Sequence, residues 1–78
     1  MGTEQRIKMV IDTLTGYLSF AKNNPGCAEK MSLMAEGFAL GARMMALCNN
    51  EPGAYQKIEI LWNNELEPAF KALLTTQE

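Results

Sequence analysis

Apolar residues recur along most of this chain at intervals of three and four, the spacing that predicts α-helices. Two short links rich in asparagine, proline and glycine, Asn23 to Gly26 and Asn49 to Gly53, separate three such stretches. Proline suits the first turn of a helix, and links this short join antiparallel neighbours. The sequence therefore predicts one all-α domain, residues 1–78, folded as a small up-down-up three-helix bundle.

Polar residues near the helix ends supply the expected caps. Thr3 is predicted to cap the first helix and Asn24 the second, because short polar side chains bond the free N–H groups of a first turn. One asparagine of the second link is expected to end the second helix in the left-handed conformation.

Pro68 interrupts the third periodic stretch, because proline lacks an N–H and its ring clashes with the carbonyl four residues earlier, at Asn64. We expect the third helix to be kinked or broken near Pro68, either bending there or stopping near Asn63 and restarting around Glu65. The asparagine pair ahead of Glu65 resembles a new cap and favours the restart. The predicted helices cover residues of about 4–22, 25–48, 52–64 and 66–75.

The second stretch, Ala28 to Cys48, is apolar around most of its circumference, which is typical of a central helix. Small residues at heptad spacing form one stripe along it, named here the alanine seam: Ala28, Ser32, Ala35, Ala39, Ala42 and Ala46. Small side chains allow two helix backbones to approach closely. The seam is thus a candidate surface for self-association, with cover by the first helix of the same chain as the alternative.

Large, adaptable side chains on the same helix form a second candidate site. Methionine clusters mark promiscuous binding surfaces, and large aromatic residues anchor interfaces. The candidate partner or ligand surface consists of Met31, Met34, Phe38, Met45 and Trp62. The alternative is that these residues form the ordinary core of a small protein.

Composition narrows the chemistry. The chain of 78 residues is 47% hydrophobic with a formal net charge of −2, and its seven basic residues are scattered, so direct nucleic-acid binding is not expected. It has no histidine and only two cysteines, so neither catalysis, a cofactor nor a bound metal is expected. Because no uncharged run approaches the ~20 residues of a membrane span, we expect a cytoplasmic protein without a membrane partner.

The two cysteines, Cys27 and Cys48, fall at opposite ends of the central helix. They would lie roughly 30 Å apart, too far for an internal disulfide bond. An antiparallel pair of central helices would bring Cys27 of one chain near Cys48 of the other. The alternative, which we favour, is that both are small buried apolar residues.

The segment Glu36 to Met45, Glu-Gly-Phe-Ala-Leu-Gly-Ala-Arg-Met-Met, resembles part of some small helical proteins of Firmicutes and their mobile elements. Those proteins carry a Glu-Gly-Phe-x-Leu-Gly-x-x-Leu/Met pattern near the end of a long helix. The resemblance covers little more than this segment. It implies a mobile-element setting and no particular activity, since none is established for that group.

Together these patterns favour a non-enzymatic protein–protein interaction module. We expect a homodimer that self-associates through the central helix and binds a further, unidentified protein. One alternative is a carrier or sensor of a small apolar ligand held in a pocket lined by methionine, phenylalanine and tryptophan. Another is a phage-type inhibitor of a host protein, which would have the same architecture.

Overall fold

Three antiparallel helical segments make up nearly all of residues 2–76, which are the residues that the structure, a computed structural model, describes. The predicted all-α bundle is confirmed. Its helices are α1 (Thr3–Asn23), α2 (Ala28–Cys48), α3 (Pro52–Leu61) and α4 (Glu67–Thr76). A 3₁₀ turn, Pro25–Cys27, leads into α2, and a π-helical turn, Trp62–Leu66, joins α3 to α4 in one continuous third segment.

The two links behave largely as the sequence predicts. Pro25 and Pro52 each begin a helical segment, and Asn50 adopts the left-handed conformation, with φ of 55°, after α2. The predicted side-chain caps are wrong. Thr3 is already inside α1, and its hydroxyl donates to the carboxylate of Glu51 instead. Asn24 precedes the 3₁₀ turn, but its amide donates backward to the carbonyl of Phe20.

The third segment does not stop and restart at Asn63 and Asn64, so that prediction is wrong. Its backbone stays helical through the π-helical turn, in which the N–H of Glu67 bonds the carbonyl of Trp62, five residues earlier. A π-helical turn is wider than an α-helical one. The wider turn gives the chain a way to accommodate Pro68, which cannot bond the carbonyl of Asn64, without a new cap.

The core lies where α2 meets the other two segments. Ala28, Ala35 and Ala39 are fully buried against Leu14 of α1 and a set of large side chains from the third segment, namely Ile58, Trp62, Leu66 and Phe70. A second small cluster, Ile7, Ala46 and Ala54, closes the far end. The fold therefore gives α2 the small side chains of the core and takes most of its bulk from α1 and the third segment.

This arrangement corrects the expectation that the alanine seam binds another chain. Four of its members, Ala28, Ala35, Ala39 and Ala46, are buried inside the chain, and Ser32 and Ala42 are half-buried. The structure has the alternative arrangement, in which the same chain covers the seam. Both α1 and the third segment pack against it. Because an alanine side chain ends at Cβ, α1 and the third segment both approach α2 closely. They leave no room on the seam for a helix from another chain.

The bundle is long and thin: its Cα atoms span 41 × 19 × 15 Å. A helix with its side chains is about 10–12 Å across, so this cross-section holds helices in mutual contact with no further layer. Each of the three segments consequently turns one face outward. The residues on these outward faces are the ones that can contact solvent or another molecule.

We predict that A39L destabilises the chain by about 1–3 kcal/mol, because the added isopropyl group would overfill a fully closed contact. Urea unfolding followed by circular dichroism measures the change. A72L is the matched control, since Ala72 is exposed on α4 and the same added volume meets solvent there. An A39L protein as stable as A72L would contradict the buried position of the seam.

Candidate functional site

The outward face of α2, which lies opposite the alanine seam, is the most unusual surface of the molecule. Its centre consists of Leu33, Gly37, Leu40, Gly41 and Met44, all exposed. Including both edges, α2 exposes seven large apolar side chains, each between 37% and 63% accessible: Leu33, Met34, Phe38, Leu40, Met44, Met45 and Leu47. Such a continuous apolar surface is typical of interaction sites rather than of ordinary solvent-facing helices.

The outward faces of the other segments provide the contrast. Among the described residues, α1 exposes only Met9 and Phe20 as large apolar side chains, and the third segment exposes only Ile60. Charged and amide residues occupy most of the remaining exposed positions there. The apolar surface is therefore concentrated on one helix.

The two edges of the outward face differ in chemistry. One edge carries Glu36, exposed, and Arg43, half-buried, two helical turns further on. Neither forms an ion pair with any other described residue; Arg43 donates only a long hydrogen bond, 3.4 Å, to the carbonyl of Ala39. The opposite edge carries Met34 and Met45, both exposed.

Gly37 and Gly41 leave two shallow gaps in the centre of this face. A Cβ atom added at either position would meet no atom within 4 Å, so the chain itself does not need glycine there. Glycine inside a helix costs about 1 kcal/mol relative to alanine.

The structure divides the candidate partner or ligand surface that the sequence indicates. Met34, Phe38 and Met45 are exposed on α2, whereas Met31 is half-buried against the core. Trp62 lies in the core beside Phe70, with ring centroids 6.1 Å apart, and so belongs to no exposed site. The sequence could not separate the four residues of α2 in this set because a helix that is apolar all round has no periodic signal for its inner side.

An apolar groove of about 330 Å³ runs beside Phe38 and Met45, between α1, α2 and α3. Its apolar lining comes from all three helices: Ile7, Val10, Phe38, Ala42, Met45, Ala46, Ala54 and Ile58. Polar residues close one end, namely Thr3, Arg6, Asn49 and Glu51. Of the pocket predicted from sequence, only Phe38 and Met45 line this groove.

A polar clamp at that end ties α1 to the link between α2 and α3. The hydroxyl of Thr3 and the guanidinium of Arg6 both donate to one carboxylate oxygen of Glu51. The hydrogen bond from Thr3 has the largest influence and lowers the pKa of Glu51; desolvation opposes it, and the charge of Arg6 lowers the pKa further. The clamp therefore holds Glu51 ionised.

Neither cysteine is bonded: Cys27 is half-buried in the 3₁₀ turn, and Cys48 is exposed at the end of α2. No cluster of three potential metal ligands occurs among the described residues. The segment Pro25–Cys48 is long and apolar enough to cross a membrane by length and composition, a property that core helices share. Only 17% of its most apolar 18-residue stretch is buried inside the chain. A lipid bilayer is therefore one surface that the outward face of α2 could contact.

Comparison of the chain with protein-family models, curated proteins and solved structures found no match. The resemblance of Glu36 to Met45 to proteins of Firmicutes and their mobile elements stays a prediction. The outward face and the groove must therefore carry any proposal about function.

We predict that the clamp makes the stability of the chain depend on pH. Because the folded state lowers the pKa of Glu51 below its ordinary value of 4.5, its contribution is complete above that pH and is lost as the pH falls through the folded-state pKa. The E51Q variant should therefore melt below the wild type at pH 7, and the two melting temperatures should converge in acid. E59Q, on α3 and outside the clamp, is the control; a gap for E51Q that does not narrow as the pH falls below 4.5 would contradict the prediction.

Proposed function

We propose that this protein is a non-enzymatic helical interaction module that self-associates through the outward face of α2. The observation that carries the proposal is the run of seven exposed large apolar side chains on one helix, while the remaining helices expose few. Water contact with this run is unfavourable, and association would remove it. The alanine seam, by contrast, stays in the core of each copy.

The size of the face supports a second copy as the occupant. Its six large side chains other than Phe38, which packs against Tyr17 of α1, expose on the order of 650 Å² in total, taking about 200 Å² for a fully exposed large side chain. A stable standard-size interface buries about 800 Å² on each partner. With the glycine backbone and the edge residues added, two copies of this face would reach that size.

The charges favour a protein partner over a lipid surface. Helices that lie on a bilayer usually carry Lys and Arg on the polar side of their apolar face. Here α2 carries two acids and two bases on or beside its outward face, namely Glu29, Lys30, Glu36 and Arg43, and the chain has a net charge of −2. A surface with both acidic and basic side chains suits a protein partner that also carries both.

We predict that the wild type is a dimer in solution and that L40E converts it to a monomer, because the substitution introduces a charge at the centre of the apolar face. Light scattering coupled to size exclusion, run over a dilution series, measures the molar mass. I60E is the matched control, since Ile60 is exposed to a similar extent, 57% against 53% for Leu40, but lies on the third segment.

The outcomes separate the possible occupants of the face. A dimer disrupted by L40E and unaffected by I60E supports the proposal. A monomeric wild type that floats with phosphatidylcholine vesicles, with flotation lost in L40E, would overturn it in favour of a bilayer. A monomer that binds no vesicles, or a dimer that both substitutions leave intact, would also overturn it.

The groove beside Phe38 and Met45 supports a second candidate function, carriage or sensing of a small apolar ligand. Its volume of about 330 Å³ lies at the lower end of the range for small-molecule sites, and its walls are predominantly apolar. The polar clamp at one end would orient a ligand that has a single polar group. Ala42 lies in the wall of this groove and offers a means of filling it.

For this function we predict that apolar compounds raise the melting temperature of the wild type by several degrees, because a ligand bound only to the folded state stabilises it. A42F should remove the response by filling the groove, whereas A72F, on an exposed position of α4, should keep it. Circular dichroism checks that both variants fold. If no compound in a broad apolar panel shifts the wild type, the groove is not a ligand site.

A further inference from the structure

Resting on the proposed self-association, we infer that the two copies pair antiparallel, related by a two-fold axis that passes between the two α2 helices at the height of the step from Ala39 to Leu40. The two unlike edges of the outward face are both symmetric about this height. Glu36 and Arg43 on one edge are equally distant from this point along the helix. Met34 and Met45 on the other edge are also equally distant from it.

The pair formed by Glu36 and Arg43 is self-complementary about that axis. A two-fold axis perpendicular to the helices reverses the chain direction while it keeps each edge on its own side. Glu36 of one copy then lies opposite Arg43 of the second copy, and the same contact occurs twice. Both side chains lack an ion-pair partner within the described part of their own chain, so the pairing leaves no internal contact broken.

The methionine edge repeats the same symmetry. Met34 of one copy lies opposite Met45 of the second copy, again twice. Near the centre, at 1.5 Å per residue, Met44 of one copy falls at a height between Leu33 and Gly37 of the other. The gap at Gly37, which the single chain leaves open, would receive this long side chain.

A parallel pair lacks these matches. Its two-fold axis runs along the helices, so each charged edge would lie beside the methionine edge of the other copy. Glu36 and Arg43 would then be partly desolvated against Met34 and Met45 without an opposite charge, which is costly. The edges therefore select the antiparallel orientation.

Charge exchange provides the first test. We expect E36R and R43E each to raise the dissociation constant of the dimer roughly tenfold, because each replaces two attractive contacts with two repulsive ones. The double variant E36R/R43E should return to within about threefold of the wild type, since the pairs re-form in reverse. E65R and K57E make the same changes in net charge at exposed positions away from α2 and should leave the constant unchanged.

Cross-linking provides a second test that reads orientation directly. In a C27S/C48S background, chains carrying M34C are mixed with chains carrying M45C and oxidised mildly. Antiparallel pairing predicts a disulfide between positions 34 and 45 of different chains. Parallel pairing places each methionine edge beside the charged edge of the other copy, so it predicts no disulfide between these positions. Trypsin cuts at Lys30, Arg43 and Lys57, so the two positions fall on different peptides that mass spectrometry identifies.

The results distinguish failure of the orientation from failure of the association. A wild-type dimer that L40E disrupts, but that forms no cross-link between 34 and 45 and is not restored by E36R/R43E, overturns the antiparallel pairing and leaves the proposed function standing. A wild type that stays monomeric, or a dimer insensitive to L40E, overturns both. Cross-links between 34 and 45 together with restoration by the double variant support both.

Discussion

The close approach that alanine permits along the inner side of α2 determines the rest of this structure. Ala28, Ala35 and Ala39 have no accessible surface, and the helices on either side of them contact α2 through these methyl groups. Because that inner arc is filled by small residues, the leucines and methionines of α2 other than Met31 have no place inside. They lie on the outward face, where the bundle has no further layer to cover them.

This distribution leaves the core dependent on a few large side chains from the other segments. Leu14 and Phe70 are the largest fully buried side chains among the described residues, and Trp62 is nearly so. Hydrophobic stabilisation grows with the apolar area removed from water, and an alanine contributes little of it. A chain of this size with a thin core has little surplus stability. Covering the outward face would therefore add to the stability of the fold as well as forming an interface.

Local chemistry made the segments and links predictable, but not which side of α2 is inside. Periodic apolar residues and the two Asn-Pro-Gly links fix the three helices, since those signals act within a few residues. A helix that is apolar all round gives no signal of which side faces the core. From the sequence alone, the alanine seam could equally have been exposed. The prediction at Pro68 was wrong for another reason. Proline excludes only one backbone hydrogen bond, and the π-helical turn accommodates that loss without ending the helix.

The restraints at the ends of α2 bear on how well its outward face could bind. At one end the 3₁₀ turn runs directly into the helix, and at the other Asn50 and the clamp on Glu51 fix the departing chain. A helix held at both ends and packed along its inner side presents its apolar side chains on a preformed backbone. Association then has to order side chains alone, which lowers its entropic cost. The same rigidity fixes the spacing of Glu36 and Arg43, so only a partner with the matching spacing can meet both charges at once.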